Sequence, residues 1–332
     1  MLSGATTYLL TPLPFTLYPL PLAVAHPIQS LKPKQRSSPS PDQLSWLKYL
    51  GLTPVVIYNG IFFLAPLLFL IWIGFWTTEN YRAVPGFSLE NYLDIASQLF
   101  ARSRYAYAIA QTIWVAVTTT LLAIVLGYPF ALGLVFVVPE RYQRFALLFA
   151  IAPFWSSYIL RLYAWQTLIN KNGLLNGLLL KLGVIDSPWQ IMFTQSATRI
   201  GILHYLAPIV ILILYLALRH IDRSLLEASR NLGATIWQTF WRVLLPLSKL
   251  GIIYSTLFSL IISGGDVLSG IILGGGAGKS ILGPIPLFST VILNEYAGST
   301  NLPRTSALAT ILVLMMVGIL VIGLKLAEPE NA

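Results

Sequence analysis

Residues 227–246, EASRNLGATIWQTFWRVLLP, form one of the longest polar stretches between two strongly apolar segments of this chain. The stretch begins at Glu227, places Gly233 six residues later and ends on Pro246. Charged side chains are costly inside a lipid bilayer. If the apolar segments on either side cross a membrane, this stretch therefore lies in water at one membrane face.

The residue types in and before this stretch predict two short helices. Asp222 and Ser224 are capping residue types and precede a first helix with one apolar side. Gly233 tolerates the backbone angles of a turn, and Thr235 is placed to cap a second helix. Pro246 is expected to end the second helix before the next apolar segment. The residues by themselves fit either a docking element or a plain connection between two spans.

The composition identifies an integral membrane protein. Of the 332 residues, 56% are hydrophobic and 10% are charged, whereas soluble domains carry about 25% charged residues. Cysteine is absent, and the three histidines and twelve acids are scattered, so the sequence predicts no disulfides and no metal site. The net charge of +9 is attributed to basic residues beside apolar segments, which set membrane topology, and nucleic-acid binding is not expected.

Apolar segments of spanning length occur six times. A membrane-spanning helix needs about 20 mostly apolar residues. A single apolar segment in lipid must satisfy its own backbone hydrogen bonds, so each is predicted to be helical. The chain is therefore expected to be an all-α polytopic membrane protein with six transmembrane helices. The predicted spans are roughly 55–76, 107–130, 146–169, 198–219, 251–272 and 305–327.

The basic residues outside the spans predict the orientation. With both termini in the cytoplasm, twelve Lys and Arg residues fall inside and eight outside. The loop at 220–250 alone carries four of the cytoplasmic basic residues. Basic residues in short loops near the span ends are those that determine membrane orientation. The prediction is a multi-pass membrane protein with cytoplasmic N- and C-termini.

Residues 1–50 differ in character from the rest of the chain. Five prolines interrupt an apolar run at 8–29, and a Pro/Ser-rich polar segment follows it. The sequence thus predicts a poorly ordered extension at 1–50. A six-span domain at 51–328 follows, with its cytoplasmic loop at 220–250.

Three longer stretches resemble one known family. They are LRHIDRSLLEASRNLGATIWQTFWRVLLPLS at 218–248, PFWSSYILRLYAW at 153–165 and QTIWVAVTTTLLAIVLGYPFAL at 111–132. Their order and content resemble the spermidine/putrescine branch of the binding-protein-dependent, type I ABC importer permeases. The resemblance covers about residues 55–327 and implies the type I importer permease fold.

The resemblance also implies a role for the loop. In this family the loop docks on an ATPase subunit. The residues of this chain that match the docking motif are Glu227, Ala228, Gly233, Leu245 and Pro246. Members of this family lie in the bacterial plasma (inner) membrane, which is therefore the expected location of this chain.

The resemblance further implies partners for this subunit. These are two copies of the ATPase, a second permease subunit, an extracytoplasmic solute-binding protein and the lipid membrane. The chain offers no Walker lysine and no carboxylate to position magnesium. We therefore expect that it is not an enzyme and binds no cofactor itself. ATP and Mg are expected to bind to the ATPase subunit.

Two charges fall inside predicted spans, Arg161 and Asp266. Such residues normally face a partner or a water-filled cavity. Counting residues from the predicted cytoplasmic ends places both at a similar depth, about 15 residues in. This permits either a structural ion pair or a shared position on a substrate pathway.

Aromatic residues lie mostly near the span ends, where interfacial anchoring is their usual role. Trp155, Tyr163 and Trp165 are also candidates for cation–π contacts with an organic cation on the pathway.

The family branch favours a polyamine, spermidine or putrescine, as substrate. It also includes permeases for ferric iron, thiosulfate and sulfate, which stay as alternatives. A secondary transporter or channel would not need the 227–246 loop. A membrane-bound enzyme would need clustered polar catalytic groups at one membrane face, and the sequence offers no such cluster.

Overall fold

The predicted spans are helical in the computed structural model, which describes residues 53–80, 82–100, 103–276 and 287–327. The extension predicted at 1–50 lies outside the described residues. Tertiary contacts group Asn59–Ala332 into one unit.

Helices dominate both halves of the chain. In chain order the first half contains α1 (Thr53–Ile73), β1 (Thr77–Glu79), β2 (Arg82–Val84), α2 (Glu90–Phe100), α3 (Arg104–Val137), α4 (Glu140–Trp155), α5 (Tyr158–Ile169) and α6 (Leu174–Lys181). The second half contains α7 (Gln195–Arg219), α8 (Arg223–Asn231), α9 (Ile236–Leu247), α10 (Lys249–Gly265), α11 (Leu268–Ile272), α12 (Phe288–Ser299) and α13 (Leu302–Ala327).

Four helices are long and apolar enough to cross a membrane unbroken: α1, α3, α7 and α13. Two further pairs qualify only if each bent pair counts as one span. In the first pair α4 meets the segment Tyr158–Lys181 at 88°, and in the second α9 meets α10 at 67°. The described residues therefore supply four spans, or up to six with the bent pairs included, which agrees with the predicted number.

The third span, predicted at 146–169, is not one continuous helix in the structure. Its helix breaks at Ser156 and Ser157, whose backbones are not helical, after a short 3₁₀ turn that contains Pro153. A proline has no backbone N–H to donate to the preceding helical turn, so the helix loses a backbone hydrogen bond at this point. Apolar composition does not reveal such a bend.

The fifth span, predicted at 251–272, differs from the structure at its far end. Before this span, the second loop helix ends at Leu247, one residue after Pro246, and the chain bends at Ser248. A wider π-helical turn at Phe240–Leu244 precedes Pro246, which lies in the first turn of the segment Leu245–Leu247, where a missing N–H is tolerated. The span itself, α10, stops at Gly265, and Asp266 is extended rather than helical.

The hydrophobic core lies where α3, α7 and α10 pack against one another. Its buried side chains include Val115 and Tyr128 of α3 and Leu206, Leu214 and Tyr215 of α7. A second cluster joins α2, α12 and α13 to the start of α3. A third joins α5 to the start of α7 and the residue after α11.

Polar contacts tie together the end of the bundle that holds α2, α12 and the starts of α3 and α13. Arg304 forms ion pairs with Asp94 at 2.8 Å and Glu295 at 3.4 Å, and Arg104 approaches Glu295 at 3.0 Å. The loop after α1 also forms a two-stranded antiparallel ribbon, β1–β2, which the sequence did not predict. Two three-residue strands are too short to give a readable alternation of side chains.

Close packing of α13 against α10 yields a testable prediction. A Cβ at Gly323 would lie 2.8 Å from Leu257 Cγ, whereas a Cβ at Gly318 on the same helix meets nothing within 4 Å. Overpacking typically costs about 1–3 kcal/mol. We expect G323L to lower the thermal unfolding temperature of the purified protein in detergent and G318L to leave it near that of the parent. Equal shifts for the two variants would show that this helix contact is absent.

Candidate functional site

The first helix of the predicted loop, α8, begins at a cap made by Asp222. The Oδ1 atom of Asp222 accepts a hydrogen bond from the Ser224 backbone N–H at 2.9 Å. The hydrogen bonds from the Ser224 backbone and side chain hold the pKa of Asp222 below its usual range. Asp222 is therefore a carboxylate at neutral pH, and it sits at the positive end of the helix dipole. Of the two predicted caps, Asp222 is the one used.

The turn and the second helix also form as the sequence predicted. Gly233 has φ +82°, a left-handed conformation that favours glycine. The Thr235 side chain accepts a hydrogen bond from Gln238 N–H at 3.2 Å, and the Gln238 side chain accepts one from Thr235 N–H at 2.9 Å. This reciprocal capping box fixes the start of α9 just after the turn.

A side-chain contact holds the two loop helices together. The hydroxyls of Ser229 on α8 and Thr239 on α9 share a hydrogen bond of 2.9 Å. A groove of about 620 Å³ remains between the helices. Apolar residues on this loop are largely exposed, among them Leu232 at 88%, Ile236 and Trp237. Exposed apolar side chains grouped outside the spans mark a surface that another protein covers.

The five predicted coupling residues do not all lie on this surface. Glu227, Ala228, Gly233 and Pro246 are exposed, and the last three line the groove. Leu245 is instead half-buried and packs against the α3–α7–α10 core. Glu227 forms no ion pair within the described part of the chain, so its carboxylate is available to a partner.

The loop is joined to the spans at the bend between α9 and α10. The hydroxyls of Tyr128 on α3 and Ser248 share a buried hydrogen bond of 2.7 Å. The ring of Phe240 on α9 meets the Tyr128 ring edge-on, with centroids 5.8 Å apart. Sequence reasoning missed Tyr128, because it lies 120 residues away from Ser248 and no local pattern connects the two.

Arg161 on α5 is the first of the two charges predicted within spans. It is only 8% exposed, and its Nε and Nη1 atoms are buried with no hydrogen-bond partner among the residues that the structure describes. Its guanidinium lies 5.8 Å from the ring centroid of Tyr158 and 5.6 Å from that of Tyr205. Cation–π attraction from two tyrosine rings therefore supports a charge that lacks hydrogen bonds on these atoms.

Asp266, the second of these charges, lies at the break between α10 and α11. Its Oδ1 atom accepts a hydrogen bond from the Tyr158 hydroxyl at 2.7 Å. Its Oδ2 atom accepts from the Ser269 N–H at 3.1 Å and also from the Ser269 hydroxyl. The bond from the Ser269 N–H satisfies a backbone donor in the first turn of α11.

Arg161 and Asp266 are thus brought together through Tyr158 rather than as a direct pair. Among the ion pairs of the described residues, none joins these two side chains. Tyr158 offers its ring to Arg161 and its hydroxyl to Asp266. Sequence reasoning missed Tyr158, although its position three residues before Arg161 places both on one helix face.

The three aromatic candidates do not gather around this site. Trp155 ends α4 and is 71% exposed, and Tyr163 is also exposed. Trp165 turns towards α7 instead, where its Nε1–H donates to Nδ1 of His204 at 2.9 Å. His204 is therefore satisfied by a tryptophan, in line with a structural role for this histidine.

The described residues form a multi-pass membrane protein with the fold of the type I ABC importer permeases. Residues 44–327 match the family described as binding-protein-dependent transport system inner membrane component. The chain belongs to this family and is a transport component of the inner membrane.

Curated relatives agree with this assignment. The chain is 31% identical over 277 residues to the spermidine/putrescine transport system permease protein PotB of Haemophilus influenzae, covering 81% of this chain and 91% of that protein. It is 36% identical over 211 residues to PotB of Escherichia coli K12, covering 63% and 74% of the two chains.

A solved structure shares the fold. It is the crystal structure of a bacterial alginate ABC transporter in complex with an alginate pentasaccharide-bound periplasmic protein. The matched chain superposes with a TM-score of 0.67 at 18% identity, over 86% of this chain and 95% of that one.

The shared tyrosine leads to a second prediction. Residues in one network show coupling energies of about 0.5–3 kcal/mol in double-mutant cycles. We expect R161Q and D266N to be coupled in the parent protein and additive in a Y158F background, because Tyr158 is their common contact. The measurement is the thermal unfolding of the purified single, double and triple variants. Coupling that survives Y158F unchanged would show that the two charges interact directly.

Proposed function

We propose that this chain is the permease subunit of an ATP-driven importer and forms part of its substrate pathway. The observation that carries this proposal is the capped pair α8–α9, which presents exposed apolar side chains and the free Glu227 carboxylate outside the spans. A loop that only connected two spans would not need two caps, a left-handed glycine and an apolar surface. The loop is therefore assigned as the docking element for an ATPase subunit.

The remaining partners follow from this assignment. Two ATPase subunits bind on the cytoplasmic side, each taking one such loop, and a second permease subunit completes the pathway. A solute-binding protein delivers substrate from outside, a role supported by the alginate transporter solved with its periplasmic protein. Both termini of this chain lie in the cytoplasm. ATP and Mg are held by the ATPase, and we assign ATP hydrolysis to that subunit rather than to this chain.

The structure suggests how loop movement reaches the pathway. Closure of the ATPase dimer moves α8 and α9 together, because the Ser229–Thr239 bond joins them. The movement then acts at the bend by Ser248, which Tyr128 holds against the core. Alternating access requires only a shift between two packings of the helices. Differential binding of several kcal/mol suffices to drive such a shift.

The substrate class is inferred from the relatives. Two PotB proteins at 31% and 36% identity support a polyamine, spermidine or putrescine. Asp266 is the one acid among the described residues that lies deep in a predicted span, and it offers a carboxylate to a cation.

Arg161 favours a second candidate substrate class. Its buried guanidinium has two nitrogens without hydrogen-bond partners among the described residues. Such a group attracts an oxyanion and repels a polyamine. Thiosulfate and sulfate therefore stand as the alternative, and ferric iron is a weaker one. A secondary transporter or channel is a further alternative, and its transport would not require the α8–α9 loop.

A matched pair of glycines tests the coupling role. Gly233 and Gly183 both have positive φ, +82° and +66°, and a Cβ at either meets nothing within 4 Å. An alanine at either position should therefore add a similar backbone strain energy, about 1–2 kcal/mol. We expect G233A to reduce both co-purification of the ATPase and ATP-dependent uptake by roughly fivefold or more. G183A, outside the loop, should leave both near the parent level.

Equal uptake by G233A, G183A and the parent would argue against a coupling role for the loop. Deletion of 227–246 with transport retained would favour the channel or secondary-transporter alternative.

Substrate uptake tests the polyamine assignment. In a strain that lacks this chain, we expect uptake of labelled spermidine or putrescine to fall to background and to return when the parent chain is supplied. The chain with G233A should restore it to roughly a fifth of the parent level or less. Labelled thiosulfate, sulfate and ferric iron serve as comparison solutes in the same strain. Loss of thiosulfate or sulfate uptake with normal polyamine uptake would transfer the assignment to an oxyanion.

A further inference from the structure

A second cavity, separate from the α8–α9 groove, lies at the same end of the bundle. It occupies about 950 Å³ between the end of α3, the start of α4 and the end of α7. Its lining shares no residue with the α8–α9 groove and includes neither Arg161 nor Asp266.

Four arginines line this cavity: Arg141, Arg144, Arg219 and Arg223. Two acids, Glu140 and Asp222, also line it, so the wall carries a net charge of +2 from four positive and two negative groups. Arg223 is already engaged, because it donates to the Val135 carbonyl at 3.0 Å and lies 3.9 Å from Glu140.

The other three arginines have no acidic partner. Within the residues that the structure describes, Arg141, Arg144 and Arg219 take part in no ion pair. Arg141 and Arg219 instead lie over tyrosine rings, at 4.6 Å from Tyr142 and 6.0 Å from Tyr215. Their guanidinium groups are therefore available to an anion.

The same cavity has an apolar wall. Phe145 and Leu148 of α4 line it and are exposed, Phe145 at 71%. Phe149, one position further along α4, is exposed as well. A cationic rim next to exposed apolar side chains, at the end of membrane-spanning helices, matches a molecule with an anionic head and a hydrocarbon tail. A small soluble anion would leave the apolar wall uncovered.

We propose that this cavity binds the phosphate headgroup of an anionic phospholipid such as phosphatidylglycerol, with an acyl chain lying along Phe145 and Leu148. Basic pockets between spanning helices at the cytoplasmic side are a general way to hold anionic lipid heads. Arg141, Arg144 and Arg219 bind the phosphate, and α4 receives the chain. This site is independent of the transported substrate.

The test uses the assembled transporter with a fluorescent reporter at the cavity. F145W places a tryptophan in the apolar wall. The quantity measured is the quenching of tryptophan fluorescence in F145W minus that in the parent protein. The protein is reconstituted in phosphatidylcholine vesicles that contain either brominated phosphatidylglycerol or brominated phosphatidylcholine, whose bromines quench nearby tryptophan. We expect stronger quenching of the reporter by the brominated phosphatidylglycerol.

Arginine variants connect this preference to the proposed site. Each arginine near an anionic membrane surface contributes enough free energy to change affinity by roughly fivefold. R141Q with R144Q, and separately R219Q, should therefore weaken the phosphatidylglycerol preference by about that factor for each residue. K325Q is the control, because Lys325 is an exposed basic residue in the last turn of α13 and does not line the cavity. It should leave the preference unchanged.

Several outcomes would overturn the proposal. Equal quenching by the two lipids would do so, as would equal effects of K325Q and R141Q/R144Q. Displacement of the lipid by soluble glycerophosphate at similar concentration would assign the cavity to a free phosphate compound. A lipid preference present in the isolated permease and lost in the assembled transporter would assign it to a protein interface. If F145W does not fold, counting phosphatidylglycerol adducts by native mass spectrometry on the parent and arginine variants decides the same question.

Discussion

A buried hydrogen bond between the hydroxyls of Tyr128 and Ser248 joins the end of the exposed loop to the membrane-spanning core. It lies at the 67° bend between α9 and α10, where the helix is interrupted. On one side of the bond are the capped helices α8 and α9. On the other is the packing of α3 against α7 and α10. Under the proposed coupling role, movement of the loop reaches the spans through this bend, together with the Phe240 ring contact and the Arg223 bond to Val135.

The elements that the sequence predicted well are those set by local chemistry. Apolar length located the spans, and the capping residues Asp222 and Thr235 together with Gly233 located the two loop helices and their turn. The bends were missed because apolar composition is the same on both sides of a break. The Tyr158 contact was missed because it depends on Asp266, 108 residues away, and local periodicity carries no information about such a partner.

The two charges within the spans are supported in different ways, and the difference bears on transport. Asp266 accepts hydrogen bonds from Tyr158 and Ser269, so its carboxylate is largely satisfied by the protein. Arg161 has tyrosine rings beside it but no hydrogen bond to Nε or Nη1. A buried polar group without a partner is costly unless something else supplies the bonds. Arg161 is thus the one of the two whose side-chain donors are left unsatisfied among the described residues.

The arginine-lined cavity and the docking loop share residues of the short connection between α7 and α8. Asp222 caps α8 and also lines the cavity, and Arg223, the first residue of α8, bonds to the end of α3. A lipid head held by Arg219 would therefore lie directly beside the start of the docking helix. Because a ligand stabilises the packing that it binds best, an anionic lipid at this site would bias the position of α8. Lipid composition would then influence coupling without any contact between the lipid and the transported solute.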